Sequence, residues 1–420
     1  DWGVLTGVNR VSLSNMFVRA RYDRKLFGVD ANVTAAYSQG DPSEDEFLAI
    51  NQAGVGDWIT REVGYSGIDL ASELLFESDS GNILTAGVDY SRDQQDLQTY
   101  VRHYFNQDSQ PTGLTQGDTA FVNTGAYVQA VLYPFRTLHV PGLTDLGFTS
   151  GLRYDQHNIY DDITNYRVAA AYPLSDDWYA KVLYGTSFKA PSPAQLYTTL
   201  IVPQGVLGNP QLRPEEARTW EAALGGRLTE GLTTKIVGFS SDVTDKVELV
   251  PSGANTQAEN VAKITSRGFE QETFYRGKRS TAYLNFSYQR SIERRVDRLR
   301  GVLEGDTNLY PTTTIKFGGS RQLLRWPAEL SLAGMYIGER IASEQNIKNH
   351  DPINLEEYTL DDYLVFDLTL SSRILSVGRG ARLKWKIGNV LDQEHYYPGF
   401  RDFDIPGLGR RLSVSLTYHL

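Results

Sequence analysis

Apolar and polar residues alternate along this chain with a period of two almost from end to end. In 281–289, Ala282, Leu284, Phe286 and Tyr288 alternate with Tyr283, Asn285, Ser287 and Gln289. In 381–389, Leu383, Trp385 and Ile387 alternate with Arg382, Lys384 and Lys386. The stretches 82–90 and 362–370 read the same way. At the end, Leu412, Val414, Leu416, Tyr418 and Leu420 alternate with Ser413, Ser415, Thr417 and His419. Successive side chains of a strand point to opposite faces, so each stretch predicts a strand with one apolar and one polar face. No segment longer than a turn or two repeats at helical spacing. The expected fold class is all-β.

The connectors alternate in size. Short ones fall at 23–25, 79–82, 175–177, 229–231, 276–278, 325–327 and 376–380. Longer polar ones fall near 39–57, 95–119, 190–216, 244–259, 291–307, 339–360 and 392–407, while 136–145 occupies a short-turn slot and 161–163 a long-loop slot. Short turns at one end and long loops at the other predict a transmembrane antiparallel up-and-down β-barrel. About 17 full strands and a partial one in 1–12 are expected, and an even total of about 18 would keep both termini on the turn side. A soluble propeller would need a repeat of about 40–50 residues, which is not found. Expected strands of roughly 10–14 residues also exceed the usual soluble length while matching a tilted membrane crossing.

Composition changes this picture little. A mean hydropathy of −0.37 suggests a soluble chain, but alternating strands average out their hydrophobicity. Tyr22, Tyr37, Tyr90, Tyr133, Tyr154, Tyr172, Trp178, Tyr184, Trp220, Tyr288, Tyr336 and Tyr418 fall near expected strand ends. Rings there suit girdles at the two membrane interfaces. The net charge of −10 argues against nucleic acid as a partner. Cysteine is absent, which fits an exported setting without disulfides.

Three stretches carry a family likeness. In 184–224, Phe188, Pro191, Leu196 and Tyr197 lead to Gly208, Asn209, Pro210, Leu212, Pro214 and Glu215, and the next strand reaches Glu221. In 260–275, Asn260 leads into Gly268, Phe269 and Glu270. Near the end come Asn389, Val390, Leu391 and Asp392, then Tyr396, and Gly409 with Arg410. Together they resemble the barrel signatures of TonB-dependent outer-membrane receptors. The resemblance covers most of 80–420 and implies a barrel of about 22 strands in the full family. It also implies localisation in the outer membrane of a Gram-negative bacterium and import of a scarce nutrient such as a ferric siderophore, haem or cobalamin. Leu420 departs from the usual terminal Phe or Trp. Neither a plug nor an energy-coupling box is recognisable, so 1–420 is expected to be barrel throughout. Either it is a trimmed piece of a longer receptor, or it is a plugless relative acting as a structural or channel component of a larger outer-membrane assembly.

The partners this implies are outer-membrane lipid and lipopolysaccharide. A TonB-type energy-coupling protein joins them if a plug lies upstream; otherwise other envelope proteins do. The alternation assigns Arg19, Arg21, Thr85, Asp89, Arg153, Asp155, Arg167, Lys181, Glu221, Lys235, Asp367, Arg382, Lys384 and Lys386 to a lumenal face. These are read either as a wall that binds a plug or selects ions, or as mutually paired and solvated charge. Arg290, Arg294, Arg295, Arg298 and Arg300 form a basic tract, read as a loop for lipid phosphate or an anionic chelate, or as a short self-paired helix. The acidic segments 41–46 and 356–362 do not follow calcium-loop spacing. His103, His139, His157, His350, His395 and His419 lack paired ligand spacing, and 185–189 lacks the second glycine of a nucleophile elbow. No cofactor, metal or catalytic residue is expected, and no enzyme. The ligand-contacting residues are not readable, and the motif positions are expected to be structural.

Overall fold

Every alternating stretch quoted above falls on a strand over its described residues, and His419 and Leu420 lie outside them. The computed structural model describes residues 10, 12–43, 46, 48–52, 55–62, 64–97, 99–104, 107–112, 116–198, 206–252, 255–297, 301–307, 310–342, 346–350, 358–374, 380–399 and 403–418. One antiparallel meander runs through β1 (Leu13–Leu26), β2 (Val29–Pro42), β3 (Tyr65–Glu77), β4 (Ile83–Leu97), β5 (Gln116–Leu132) and β6 (Gly147–His157). It continues through β7 (Ile163–Pro173), β8 (Trp178–Lys189), β9 (Glu215–Thr229), β10 (Leu232–Ser252), β11 (Asn255–Arg276) and β12 (Ser280–Asp297). It ends with β13 (Thr313–Gln322), β14 (Ala328–Ile337), β15 (Tyr363–Ile374), β16 (Ala381–Gly388) and β17 (Arg411–Tyr418). Each strand pairs with the next. The expected segment 1–12 lies outside the described residues except for Arg10 and Ser12.

The unlike ends are present, with several boundaries moved. The first reversal sits at Phe27 and Gly28 rather than at 23–25, whose residues stay in the β1–β2 ladder. A two-residue hairpin of type I′ needs positive φ at both positions, and Phe27 (52°) and Gly28 (86°) adopt it. Segments 244–252 and 255–259 are strand, not loop, because β10 and β11 continue past the barrel as a ribbon. The basic tract is likewise neither loop nor helix through Asp297: it is the upper part of β12, paired with β11 and with Gly301–Asp306. Arg298 and Arg300 lie outside the described residues. The polar stretches 39–57 and 95–119 contribute a separate four-stranded sheet of Leu48–Gln52, Val55–Glu62, Thr99–Tyr104 and Gln107–Thr112.

The wall is one sheet thick. Among the described residues few apolar side chains are buried, and the largest fully buried side chains, Leu196 and the polar Asn346, are both in outer loops. Val88 (57 % exposed), Leu152 (51 %) and Val168 (50 %) instead share an outward apolar face. Such a face finds its apolar surroundings in lipid. On β8, Trp178 and Phe188 share that face ten residues apart. At about 3.4 Å per residue and about 40° tilt, they bracket roughly 26 Å, the height of a barrel's apolar band. Between them Tyr184 lies 4.4 Å from Trp220 and 5.8 Å from Tyr166, ring to ring.

The opposite face is polar and paired. Arg153 on β6 donates to Asp155 (2.6 Å) and reaches across β5 to Asp89 on β4 (2.7 Å). It passes over Gly125, where an added Cβ would lie 2.3 Å from its guanidinium. Tyr127 donates to Glu73, Lys386 pairs with Asp367 and Lys235 with Glu272. Of the two readings of lumenal charge, mutual pairing holds for these residues.

Candidate functional site

Above the band, the long loops fold onto one another around the mouth. The β8–β9 connection opens with a short helix, α1 (Pro193–Tyr197). Ser192 caps it by accepting from the Gln195 backbone N–H, while the Gln195 side chain accepts from the Ser192 N–H. Leu196 on this helix packs with Leu212 and Ala258 in a buried knot, flanked by Phe121, Ile159, Tyr197 and Val247.

Motif residues between Pro191 and Glu215 build and brace this knot. Gly208 passes so close to the helix that a Cβ would lie 2.6 Å from the Leu196 backbone. The Asn209 side chain donates to the Ala258 carbonyl (3.1 Å) and accepts from the Gln211 N–H (3.0 Å). Pro191 and Pro214 are buried, and Pro210 is exposed. Glu215 accepts from the Val247 N–H (3.1 Å) and from Lys189 (3.4 Å). Phe188 lies on the outward face opposite Glu216. Asn260 accepts from the Arg213 N–H and donates to the Arg213 and Asp245 carbonyls, pinning the irregular register of β10 at Asp245. Glu221 and Glu270 stand apart on the lumenal wall, exposed, and Gly268 lies beneath the Phe239 ring.

A second assembly gathers the β14–β15 and β16–β17 connections. Asn389 takes φ of 49°, a conformation asparagine tolerates, and its side chain donates to the Gln393 and Leu408 carbonyls. It accepts from the Gln393 N–H (2.8 Å). Asp392 accepts from the Arg410 N–H, next to Gly409, and the Arg410 side chain donates to the Val390 carbonyl. Tyr396 pairs in a short ribbon with Pro406 and donates to Glu394, a bond that raises the phenol's pKa.

Beside this ribbon the nearly buried Arg340 lies 5.0 Å over the Tyr363 ring. It donates to the Asp361 and Tyr396 carbonyls, and its Nε has no hydrogen-bond partner among the described residues. The His395 ring lies tilted 4.5 Å from Tyr363 and approaches Tyr397 edge-on at 5.4 Å. Asn346 and Tyr358 both donate to Asp404, and Lys348 donates to Tyr358, which holds its ammonium pKa above the ordinary value. Elsewhere on the rim His157 stacks on Tyr160 (3.8 Å) and Trp58 on His103 (4.9 Å).

The motif positions thus divide among two outer clasps, the lumenal wall and, for Phe188, the outward face. Sequence reasoning missed Arg340, Tyr363, His395, Tyr397 and the ring pairs. Their only available signal was proximity to Tyr396 and the scattered histidines. The acidic segments fall partly outside the described residues, and among those described no carboxylate or histidine cluster has metal-site geometry. Rings, guanidinium and hydroxyls around a mouth can hold a ligand by stacking, charge and hydrogen bonds.

Comparison with known proteins follows the same lines. Residues 5–383 match the family model described as TonB dependent receptor-like, beta-barrel. The ferripyoverdine receptor of Pseudomonas aeruginosa, solved with ferripyoverdine bound, is similar in fold: TM-score 0.68 and 15% identity, covering 96% of this chain and 56% of that one. The ferric-catecholate import receptor of E. coli K12 gives 0.67 and 14%, covering 96% and 64%. A siderophore receptor of Acinetobacter baumannii gives 0.66 and 13%, covering 97% and 71%. At such identities the likeness is one of fold, and this chain spans less than two thirds of the first two receptors.

Proposed function

Because the chain belongs to the TonB-dependent receptor-like β-barrel family, a family of outer-membrane receptors, we propose that it captures a ferric siderophore at its outer mouth for import. Residues 1–420 are read as one barrel domain. The observation that carries the reading is the pair of loop clasps above a polar lumen, in one of which the buried Arg340, Tyr363 and His395 pack beneath the exposed rings of Tyr396 and Tyr397. A ferric chelate presents donor oxygens and planar faces, which such groups engage. The siderophore is preferred to haem and cobalamin because the receptors of like fold are named for ferripyoverdine and ferric catecholates. The energy comes from a TonB-type partner in this reading, and the outward face contacts membrane lipid and lipopolysaccharide.

Uptake of radioactive iron supplied as a panel of ferric siderophores tests it, with the gene deleted and restored in the source bacterium. One siderophore class loses transport on deletion, and dissipating the proton gradient abolishes the restored uptake. Unchanged uptake across the panel, with steady single-channel conductance of the purified barrel, would sink import in favour of the channel reading.

A further inference from the structure

Above the aromatic level, the outward face of β11 and β12 changes character. In the unbroken register, Phe269 stands opposite Tyr288, Arg267 opposite Arg290, Thr265 opposite Ile292 and Lys263 opposite Arg294. Alternation puts all four pairs on the face that carries Phe269 and Tyr288, whose rings lie 6.0 Å apart. The four cations are all exposed.

Like charges directly opposite each other in a ladder are destabilising, and here the arrangement occurs twice. Neighbouring carboxylates answer it only in part. Lys263 lies 3.6 Å from Asp242, and Arg290 lies 2.8 Å from Asp306. Glu304 stands opposite Arg294 in the register without forming an ion pair, and Arg267 has no ion-pair partner among the described residues. Arg218 on β9, opposite Asp242, extends the same face. The two cation rows are four residues apart, about 14 Å along the strands. The lower row is a single alternation above the rings.

We propose that this face binds the phosphorylated head group of an outer-leaflet lipid, with Arg267 and Arg294 as the free forks and Phe269 and Tyr288 against its acyl chains. Guanidinium matches phosphate bidentately, and phosphate oxygens would relieve the opposed charges. The height favours a lipid over a soluble anion, because the lower row sits where lipid head groups meet the apolar band. The assignment rests on the membrane reading of the outward face and adds to it a site.

The test uses the full chain in detergent, offered bisphosphorylated lipid A or its dephosphorylated form, with retained lipid counted by native mass spectrometry. The barrel retains the phosphorylated lipid preferentially, and R267Q/R294Q loses about tenfold of that retention, while R267K/R294K keeps part of it. Heat-modifiable gel mobility confirms that each variant is folded. Equal retention of both lipids, a folded R267Q/R294Q that binds like the parent, or competition by inorganic phosphate at equal phosphate concentration would each overturn the site. Failure of the parent chain to insert into phospholipid vesicles would instead overturn the membrane reading beneath it.

Discussion

Asn389 shows how much one side chain can organise. Its amide closes a loop by satisfying backbone groups of Gln393 and Leu408, and its own N–H donates to Asp367, which also holds Lys386. Asn389→Ala strands the Gln393 and Leu408 groups at about 1–3 kcal/mol for each one kept from water. The temperature at which the folded gel band disappears should therefore fall. Asn389→Gly, which keeps the left-handed backbone, should fall nearly as far, because the lost bonds outweigh the relief of strain. If glycine restored the parent's value, the amide's role would be refuted. Asn389 was recognisable from its motif, but its partners were not: alternation describes strands and carries no information about how a loop returns on itself.

At the level of elements, the lumenal link from β4 to β6 depends on what β5 omits. Arg153 reaches Asp89 only because Gly125 leaves the space between them open. Gly125→Ala puts a methyl where the guanidinium lies, and its cost should approach that of Arg153→Gln. Arg153→Gln leaves Asp155, only 2 % exposed, with its charge uncompensated, at about 3–5 kcal/mol, and Gly125→Ala forces the guanidinium off Asp89. Combining the two should add little beyond either alone, since both break one link. Additive losses in thermal unfolding would show that Gly125 acts otherwise. Strand identity and sidedness were legible here because period two is read directly from residue types. Arg290 and Arg294 were misplaced for the opposite reason: charge reads as loop, whereas β12 continues because β11 offers its hydrogen bonds further up.

For the whole molecule, the two faces should answer the same substitution differently. Val168, midway along β7, faces outward, and its neighbour Ala169 faces the lumen beside Leu183 and Thr149. Val168→Arg should destabilise the barrel by about 2–4 kcal/mol, as charges at mid-bilayer do, and Ala169→Arg by far less. Unfolding in phospholipid vesicles measures both, and equal losses would mean the faces are wrongly assigned. The same geometry has a mechanical side. β10 and β11, 21 and 22 residues long, make a ribbon about 70 Å in contour, of which roughly half stands clear of the band. A two-stranded ribbon alone in water is barely stable. Here it is a mast, and Arg213 and Asn260 are its stays, fastened at Asp245. A molecule pressing on the ribbon works a lever with its fulcrum at that bulge, so a touch far above the membrane is delivered as torque to the knot around Leu196.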